Sequence, residues 1–361
     1  MIREPDEHRT AAASTPRRAT AAIACVLLLC TVLLAACGAA AAPSRQIALT
    51  TSAHPVSDTG SLALASSSEP ACGPAAARTA AATALLAAQR IYRLELTSSE
   101  VSADRREVQD YQPLVSALAG ADTAGVEQAV TKLVYSGTHI VRLRVVRAGH
   151  VLADVGGPYI IAPVSGSIRA AGRTLATYVL SVQDDLGYVK LEKRYVGVPM
   201  LLRRGTSRIQ LEGEIPPGTT IPYSGPVSYR GGRFQAVSFT ATAFPEGPLT
   251  VTLLVPLPPS SLGCGSVRVL EAGRIAQTMW RRYMLVSGSP ATYAKGAQQL
   301  TGALVYVRSP SGHQVAGSTG AGPRKIPDSG AVRYRGRTYT VTSFPSSTAS
   351  GQVRVYVLLA S

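Results

Sequence analysis

Ile221-Pro222-Tyr223-Ser224-Gly225-Pro226-Val227-Ser228-Tyr229-Arg230-Gly231 recurs without a gap 105 residues further on, as Ile326-Pro327-Asp328-Ser329-Gly330-Ala331-Val332-Arg333-Tyr334-Arg335-Gly336. Self-similarity at a fixed spacing marks a structural unit used twice. The match continues through Ser238-Phe239 against Ser343-Phe344 and, less closely, through Gly247 to Val255 against Gly351 to Leu359. Apolar and β-branched runs on either side of an Arg-Gly pair, followed by a loop and a third run, predict an antiparallel three-stranded meander in each copy. The Gly of each Tyr-Arg-Gly is expected at positive φ, with the Tyr packed on the sheet. The other reading of Tyr229-Arg230 and Tyr334-Arg335 is a basic, aromatic platform for anionic polymers.

Upstream of the second copy, Leu304 to Arg308 and His313 to Ala316 read as a hairpin, and Val267 to Met284 as a helix with an apolar stripe of Leu270, Ile275, Met279 and Tyr283. The first part of the chain has a similar plan. Pro74 to Leu96 contains no internal Gly or Pro beyond Pro74 at a first helical turn, and reads as a long helix. Thr123 to Tyr135 reads as a second helix capped by Asp122 or Thr123. Ile140 to Val146, His150 to Val155, Arg173 to Val182 and Tyr188 to Val196 read as strands, the first two joined by a turn at Ala148-Gly149. The expected class is α+β: a long N-terminal helix, antiparallel sheets and repeated β-meander units.

Further out lies the N-terminus. Arg3, Arg9, Arg17 and Arg18 precede an apolar run from Ala21 to Ala36, the order of a secretory leader, and the run is short for a membrane span. It ends in Leu34-Ala35-Ala36-Cys37-Gly38, which resembles the lipobox of bacterial lipoproteins. That resemblance implies cleavage before Cys37, acylation of its thiol, and a protein held by lipid on the outer face of the cytoplasmic membrane. The expected division is 1–36 signal peptide, 37–72 flexible tether, 73–198 first domain, 199–262 first meander unit, and 263–361 a helix with the second β unit. The tether, rich in Ala, Ser, Thr and Pro, spans about 30 Å root-mean-square as a flexible chain.

The chain carries 36 Lys and Arg against 21 acids, a net charge of +15. Loss of residues 1–36 removes four arginines and three acids and leaves +14. The basic residues are spread along the chain instead of forming one block, so the plain reading is a solvated basic surface; outside the cell the expected partners of such charge are anionic lipid headgroups or wall polymers, and with no nucleic-acid motif present, no nucleic acid. Cys25 and Cys30 leave with the leader and Cys37 takes lipid, so Cys72 and Cys264 remain for a disulfide in an oxidising compartment. Each stands just ahead of an expected long helix.

Val141 to Gly157 gives a strand, a Gly turn and a strand ending near Asp154, and Gly172 to Asp185 a long strand ending in polar residues. With the long leading helix and the shorter one on a sheet face, this resembles the extracytoplasmic PAS-like fold called the Cache domain, over about 130 residues from Ala75 to Arg204. The resemblance implies a five-stranded antiparallel sheet and a small-ligand pocket between sheet and helix face. Tyr135, Arg142, Asp154, Tyr159, Tyr178 and Asp184 are the candidate lining residues. Each also has a plain structural reading, as core, surface or, for Asp184-Asp185 before Leu186-Gly187, a turn cap.

His54, His139, His150 and His313 have no acid or nucleophile at a recognisable motif spacing, and no zinc motif or phosphate loop occurs. The expectation is a binding protein, not an enzyme, without metal or cofactor. No apolar span follows the Cache-like region, so signalling would require a membrane sensor or transporter partner. The rival expectation is a structural envelope lipoprotein that holds anionic wall polymer or lipid on its basic surface.

Overall fold

The computed structural model describes residues 62, 69–136, 139–208, 215–216, 218–286 and 289–361. Cys37, the expected leader and nearly all of the expected tether lie outside the described residues.

Helix α1, Ala75–Thr97, turns Ala76, Ala80, Ala84, Ala87, Ala88 and Ile91 inward. This is a stripe at helical period built almost wholly of methyl groups, so other elements can approach its backbone closely. Three shorter helices follow: α2 Ser99–Asp110, α3 Gln112–Ala119 and α4 Thr123–Tyr135. Ser98 caps α2 and Asp122 caps α4, each accepting a hydrogen bond from a backbone N–H of the first turn.

The next strands are β1 Arg142–Arg147, β2 His150–Gly156, β3 Ile160–Ile161, β4 Val164–Ala170, β5 Arg173–Ser181 and β6 Gln183–Asp184. Strands β2-β1-β5-β4 form a four-stranded antiparallel sheet. Its inward face, with Leu143, Val145, Tyr178 and Leu180, packs against α2, α3 and α4 in a core of its own. The two-residue strands β3 and β6 leave this sheet and join the next one.

That second sheet collects β7 Met200–Arg204, β8 Ser207–Arg208, β9 Gly225–Tyr229, β10 Gly232–Phe244 and β11 Gly247–Pro256, in the order β6-β3-β10-β11-β7-β8. Strand β11 pairs with β10 from Phe234 to Ala243, so β9 and β3 share the other edge of β10 at its two ends. After helices α6 Cys264–Val286 and α7 Pro290–Thr301, a third sheet runs β13-β12-β16-β15-β14. Its strands are β12 Leu304–Arg308, β13 Gln314–Gly317, β14 Gly330–Tyr334, β15 Arg337–Thr348 and β16 Gly351–Ala360. One large core joins the second and third sheets through α1, α6 and α7.

The repeat is realised in space. β9-β10-β11 and β14-β15-β16 are corresponding meanders, and β7 and β12 flank the third strand of each. Arg230 and Gly231 have φ of 47° and 75°, and Arg335 and Gly336 have 49° and 75°, so both Arg-Gly pairs form primed hairpin turns. On the outer faces, Leu201, Ile221, Ala236 and Leu254 cluster in one copy, where Tyr306, Ile326, Val341 and Leu358 stand in the other.

A disulfide joins Cys72 and Cys264, whose Cα atoms are 4.8 Å apart. It ties the start of α1 to the start of α6. Beside it Cys72 N–H donates to Leu262 O at 2.7 Å, and Glu69 accepts from the Gly265 N–H at 2.9 Å in the first turn of α6, where a negative charge suits the exposed amides.

Two expectations are corrected. Residues 188–196 are not a strand: Asp185–Tyr195 is helix α5. Asp184 caps it by accepting from Gly187 N–H, Lys193 and Arg194 sit in its last turn, and Tyr188, Val189 and Glu192 are buried at helical spacing. The aromatic and β-branched content of the stretch is real, but the cap and the dipole-matched ends decide the conformation. The first sheet has four strands, not five, because the chain after Gly156 crosses to β10 before returning as β4.

Candidate functional site

Alternation along β1 puts Arg142 and Arg144 on the face away from α2–α4, with Asp154 of β2 directly opposite Arg144. Arg142 donates from Nε and Nη2 to the two carboxylate oxygens of Asp154, both at 2.8 Å, and Arg144 Nε donates at 2.9 Å. Arg142 Nη1 donates to the carbonyls of Gly157 and Pro158 at 2.9 and 3.0 Å. The Phe244 ring lies 5.4 Å from the Arg142 guanidinium carbon and 4.4 Å from that of Arg144. Burial on its own would raise the Asp154 carboxyl, but the bonds and charges of both arginines outweigh it and hold the group below the usual carboxylate range. The same bond to Asp154 raises Arg142.

Tyr159 and Asp184 belong to this seam between the first two sheets. Ile160 pairs with Asp184, and the Tyr159 carbonyl accepts from Asp185 N–H at 3.2 Å. Arg142, Asp154, the Gly157–Tyr159 segment and Asp184 are thus brought together, but the charged groups of Arg142 and Asp154 are spent on one another and the Asp184 carboxylate on the α5 cap. The other two candidates lie elsewhere. Tyr178 faces the helices, 1% exposed, with its hydroxyl accepting from Gln109 at 3.2 Å. Its ring covers Gly166, where a Cβ would stand 2.3 Å from the phenol. Tyr135 is 72% exposed at the end of α4. The six do not line one pocket, and the described side chains between the first sheet and its helices are close-packed.

A cleft that sequence reasoning missed lies on the outer face of the second sheet. It measures roughly 460 Å³ and is lined by Arg203, Thr206, Ile215, Thr219, Thr220 and Tyr223, among others. Arg203 is 8% exposed, yet no carboxylate among the described residues pairs with it. Its Nη1 donates to Ile221 O at 2.7 Å, its Nη2 to Thr252 Oγ1 at 2.8 Å, and its guanidinium carbon lies 4.0 Å from the centre of the Tyr223 ring. The Nε–H has no partner. Burial lowers the Arg203 pKa, partly offset by Tyr223. A buried cation held only by neutral groups is an unfinished electrostatic arrangement. The signal that would have found it is the repeat: carried upstream, the 105-residue spacing sets Arg203 against Arg308.

A third polar cluster lies in the large core. Tyr188 donates its hydroxyl to Glu192 Oε1 at 2.9 Å, and Glu192 is 1% exposed. Burial pushes its carboxyl up to about 8, the Tyr188 bond pulls it down, and nearby Glu95 pushes it up again. Glu95 is itself raised by burial.

No family model matches the sequence, and no curated protein matches it. Among solved structures, the chain has a weak similarity to the periplasmic domain of Vibrio cholerae LuxQ, with 12% identity, TM-score 0.30, and coverage of 50% of this chain and 98% of that one. It is similar to the ligand-binding domain of Mlp24 with asparagine at 6% identity and TM-score 0.17, covering 79% of this chain and 95% of that one. It is also similar to a methyl-accepting chemotaxis protein X at 12% identity and TM-score 0.13, covering 79% and 96%. At these scores the likeness carries no argument about ligand or mechanism; the α+β class rests on the elements of the chain itself.

Proposed function

We propose that the chain is an exported, lipid-anchored protein that binds a small extracytoplasmic ligand in a sensory or accessory role, without catalysis. The observation that carries the binding reading is the cleft of roughly 460 Å³ on the second sheet, whose wall includes Arg203, a buried guanidinium held only by neutral groups. Concave sites with a few convergent polar groups among apolar ones are where small ligands are held. Export is supported by the Cys72–Cys264 bridge and by the leader and lipobox-like residues 21–38. Among the described residues no helix is long and apolar enough to cross a membrane, so under this reading attachment falls to Cys37 and any signal passes through a membrane partner.

Thermal unfolding of the mature protein against a panel of small acids, amines and amino acids tests this reading. A ligand at a hundred times its Kd stabilises by about 2.7 kcal/mol, and a saturable rise in Tm that persists at about 0.3 M salt is expected. No small molecule giving such a rise, together with wall-polymer binding that vanishes at that salt, would favour the envelope-structural role of the basic surface instead.

A further inference from the structure

The second copy of the repeat carries exposed cations that the first lacks. At the 105-residue spacing, Arg324, Lys325, Arg333 and Arg337 stand where the first copy has Thr219, Thr220, Ser228 and Gly232. Arg335 alone of this group has a cationic counterpart, Arg230. The Arg-Gly turns of the two copies share one backbone geometry, so the turn does not call for the added charge. All five cations are exposed. From Gly302 to Ser361 the sequence has one acid, Asp328, and it pairs with Arg354 at 3.4 Å, so no neighbour within the unit neutralises the group. Arg333, Arg335 and Arg337 share the tip of one hairpin, where Arg333 pairs with Thr338 and Tyr334 with Arg337, and β14 is the edge strand of its sheet. The Arg335 guanidinium carbon lies 5.0 Å from the centre of the Tyr334 ring. The Tyr334 hydroxyl donates to Ala321 O at 2.6 Å, which holds the stretch leading to Arg324 and Lys325 against the hairpin.

The N-terminal segment meets the body beside the same edge. Leu62 packs against the large core, where a Cβ on Gly273 of α6 would stand 3.3 Å from Leu62 Cδ2 and 2.6 Å from Thr342 Cγ2 of β15. Glu69 lies at Gly265, and a Cβ there would stand 3.6 Å from Thr340 Oγ1. Thr340 pairs with Ala331 of β14, two residues from Arg333. The chain that leads back to Cys37 therefore leaves the body next to the cationic hairpin. Between Cys37 and Leu62 a coil of that length spans about 28 Å. We infer that this edge of the third sheet faces an anionic membrane, with Arg324, Lys325, Arg333, Arg335 and Arg337 on the lipid phosphates. The inference deepens the proposed function and rests on its lipid-anchored reading. Guanidinium N–H pairs match phosphate oxygens, and each basic residue near such a surface strengthens binding roughly fivefold.

The test is co-sedimentation of the mature chain, made with Cys37→Ser so that it carries no lipid, with vesicles of phosphatidylcholine and phosphatidylglycerol in equal parts. Vesicles of phosphatidylcholine alone are the neutral arm, and soluble polyphosphate is the polymer arm. Arg333→Gln, Arg335→Gln and Arg337→Gln are combined in one variant, all at exposed positions. Arg230→Gln with Arg233→Gln, in the matching hairpin of the first copy, is the control. Binding to the phosphatidylglycerol vesicles at about 0.1 M salt is expected, weakened at least about tenfold in the triple variant and unchanged in the control. No binding to these vesicles, equal binding to phosphatidylcholine alone, or equal losses in the triple variant and the control overturns the inference. Loss of polyphosphate binding with vesicle binding intact also overturns it, and assigns the hairpin to a polymer. Because the probe has no acyl chain, failure here leaves the Cys37 anchor standing, and failure of the anchor in cells leaves this measurement standing.

Discussion

Cys72 and Cys264 stand 4.8 Å apart at their Cα atoms and fasten the first turns of α1 and α6 to each other, 192 residues apart in sequence. Both helices contribute to the core that joins the second and third sheets, so the bridge pins the part of the molecule on which the rest is assembled.

A free-thiol assay on the denatured, unreduced mature protein should therefore find none. Replacing both cysteines by serine should lower stability by up to about 5 kcal/mol, the chain-entropy figure for a closed loop of this length. Unfolding curves of the bridged and Ser forms measure it, and equal midpoints would show that the bridge contributes nothing.

Glu192 makes stability fall as pH rises. Its folded pKa of about 8 lies above the usual carboxylate value, so between roughly pH 4.5 and 8 the native state holds a proton that the unfolded chain releases. Its contribution is complete below the lower limit and is lost as pH climbs through the upper one. Glu192→Gln mimics the protonated form, and should flatten this limb and raise stability at pH 8 on the order of a few kcal/mol. Denaturant melts from pH 5 to 9 on both proteins show whether it does.

Asp154 acts in the opposite sense. Its lowered pKa means a stabilisation present above the ordinary carboxylate range and lost as pH falls through the folded value. Asp154→Asn leaves the guanidiniums of Arg142 and Arg144, 13% and 25% exposed, without their carboxylate. A loss of about 2 kcal/mol at neutral pH is expected, reduced from the fully buried case by this residual exposure, together with a weaker acid limb. Urea titrations at pH 3 and pH 7 measure both effects.

Cys37→Ala should leave the protein unprocessed or release it from the membrane fraction, as seen by fractionation and intact mass. A mutant still mature and membrane-bound would contradict the lipid anchor.

The meanders, their Arg-Gly turns and the long helices were legible because they depend on neighbours in sequence. Arg230-Gly231 needs only its own backbone to turn, and the Ala-Leu run of α1 only its own period. Residues 188–196 carry aromatic and β-branched side chains that suit a strand, and the helix is announced only by the Asp184 cap ahead of them. The crossing of Ile160–Ile161 to β10 was invisible, since two residues carry no periodicity and the partner lies some eighty positions away. The candidate site divided in the same way. Arg142 and Asp154, named as candidate lining residues, meet as an ion pair across adjacent strands, whereas Tyr178 is core because its facing is set by pairing with Val145. Arg203 looked like any basic residue, since its burial depends on a covering segment and a strand well removed in sequence.

The most direct measurement is a crystal structure of the mature protein grown with 4-bromobutyrate, whose bromine is located by anomalous scattering. The account predicts bromine in the cleft lined by Arg203 and Tyr223. Bromine found instead between the first sheet and helices α2–α4, or nowhere on the molecule, would contradict it.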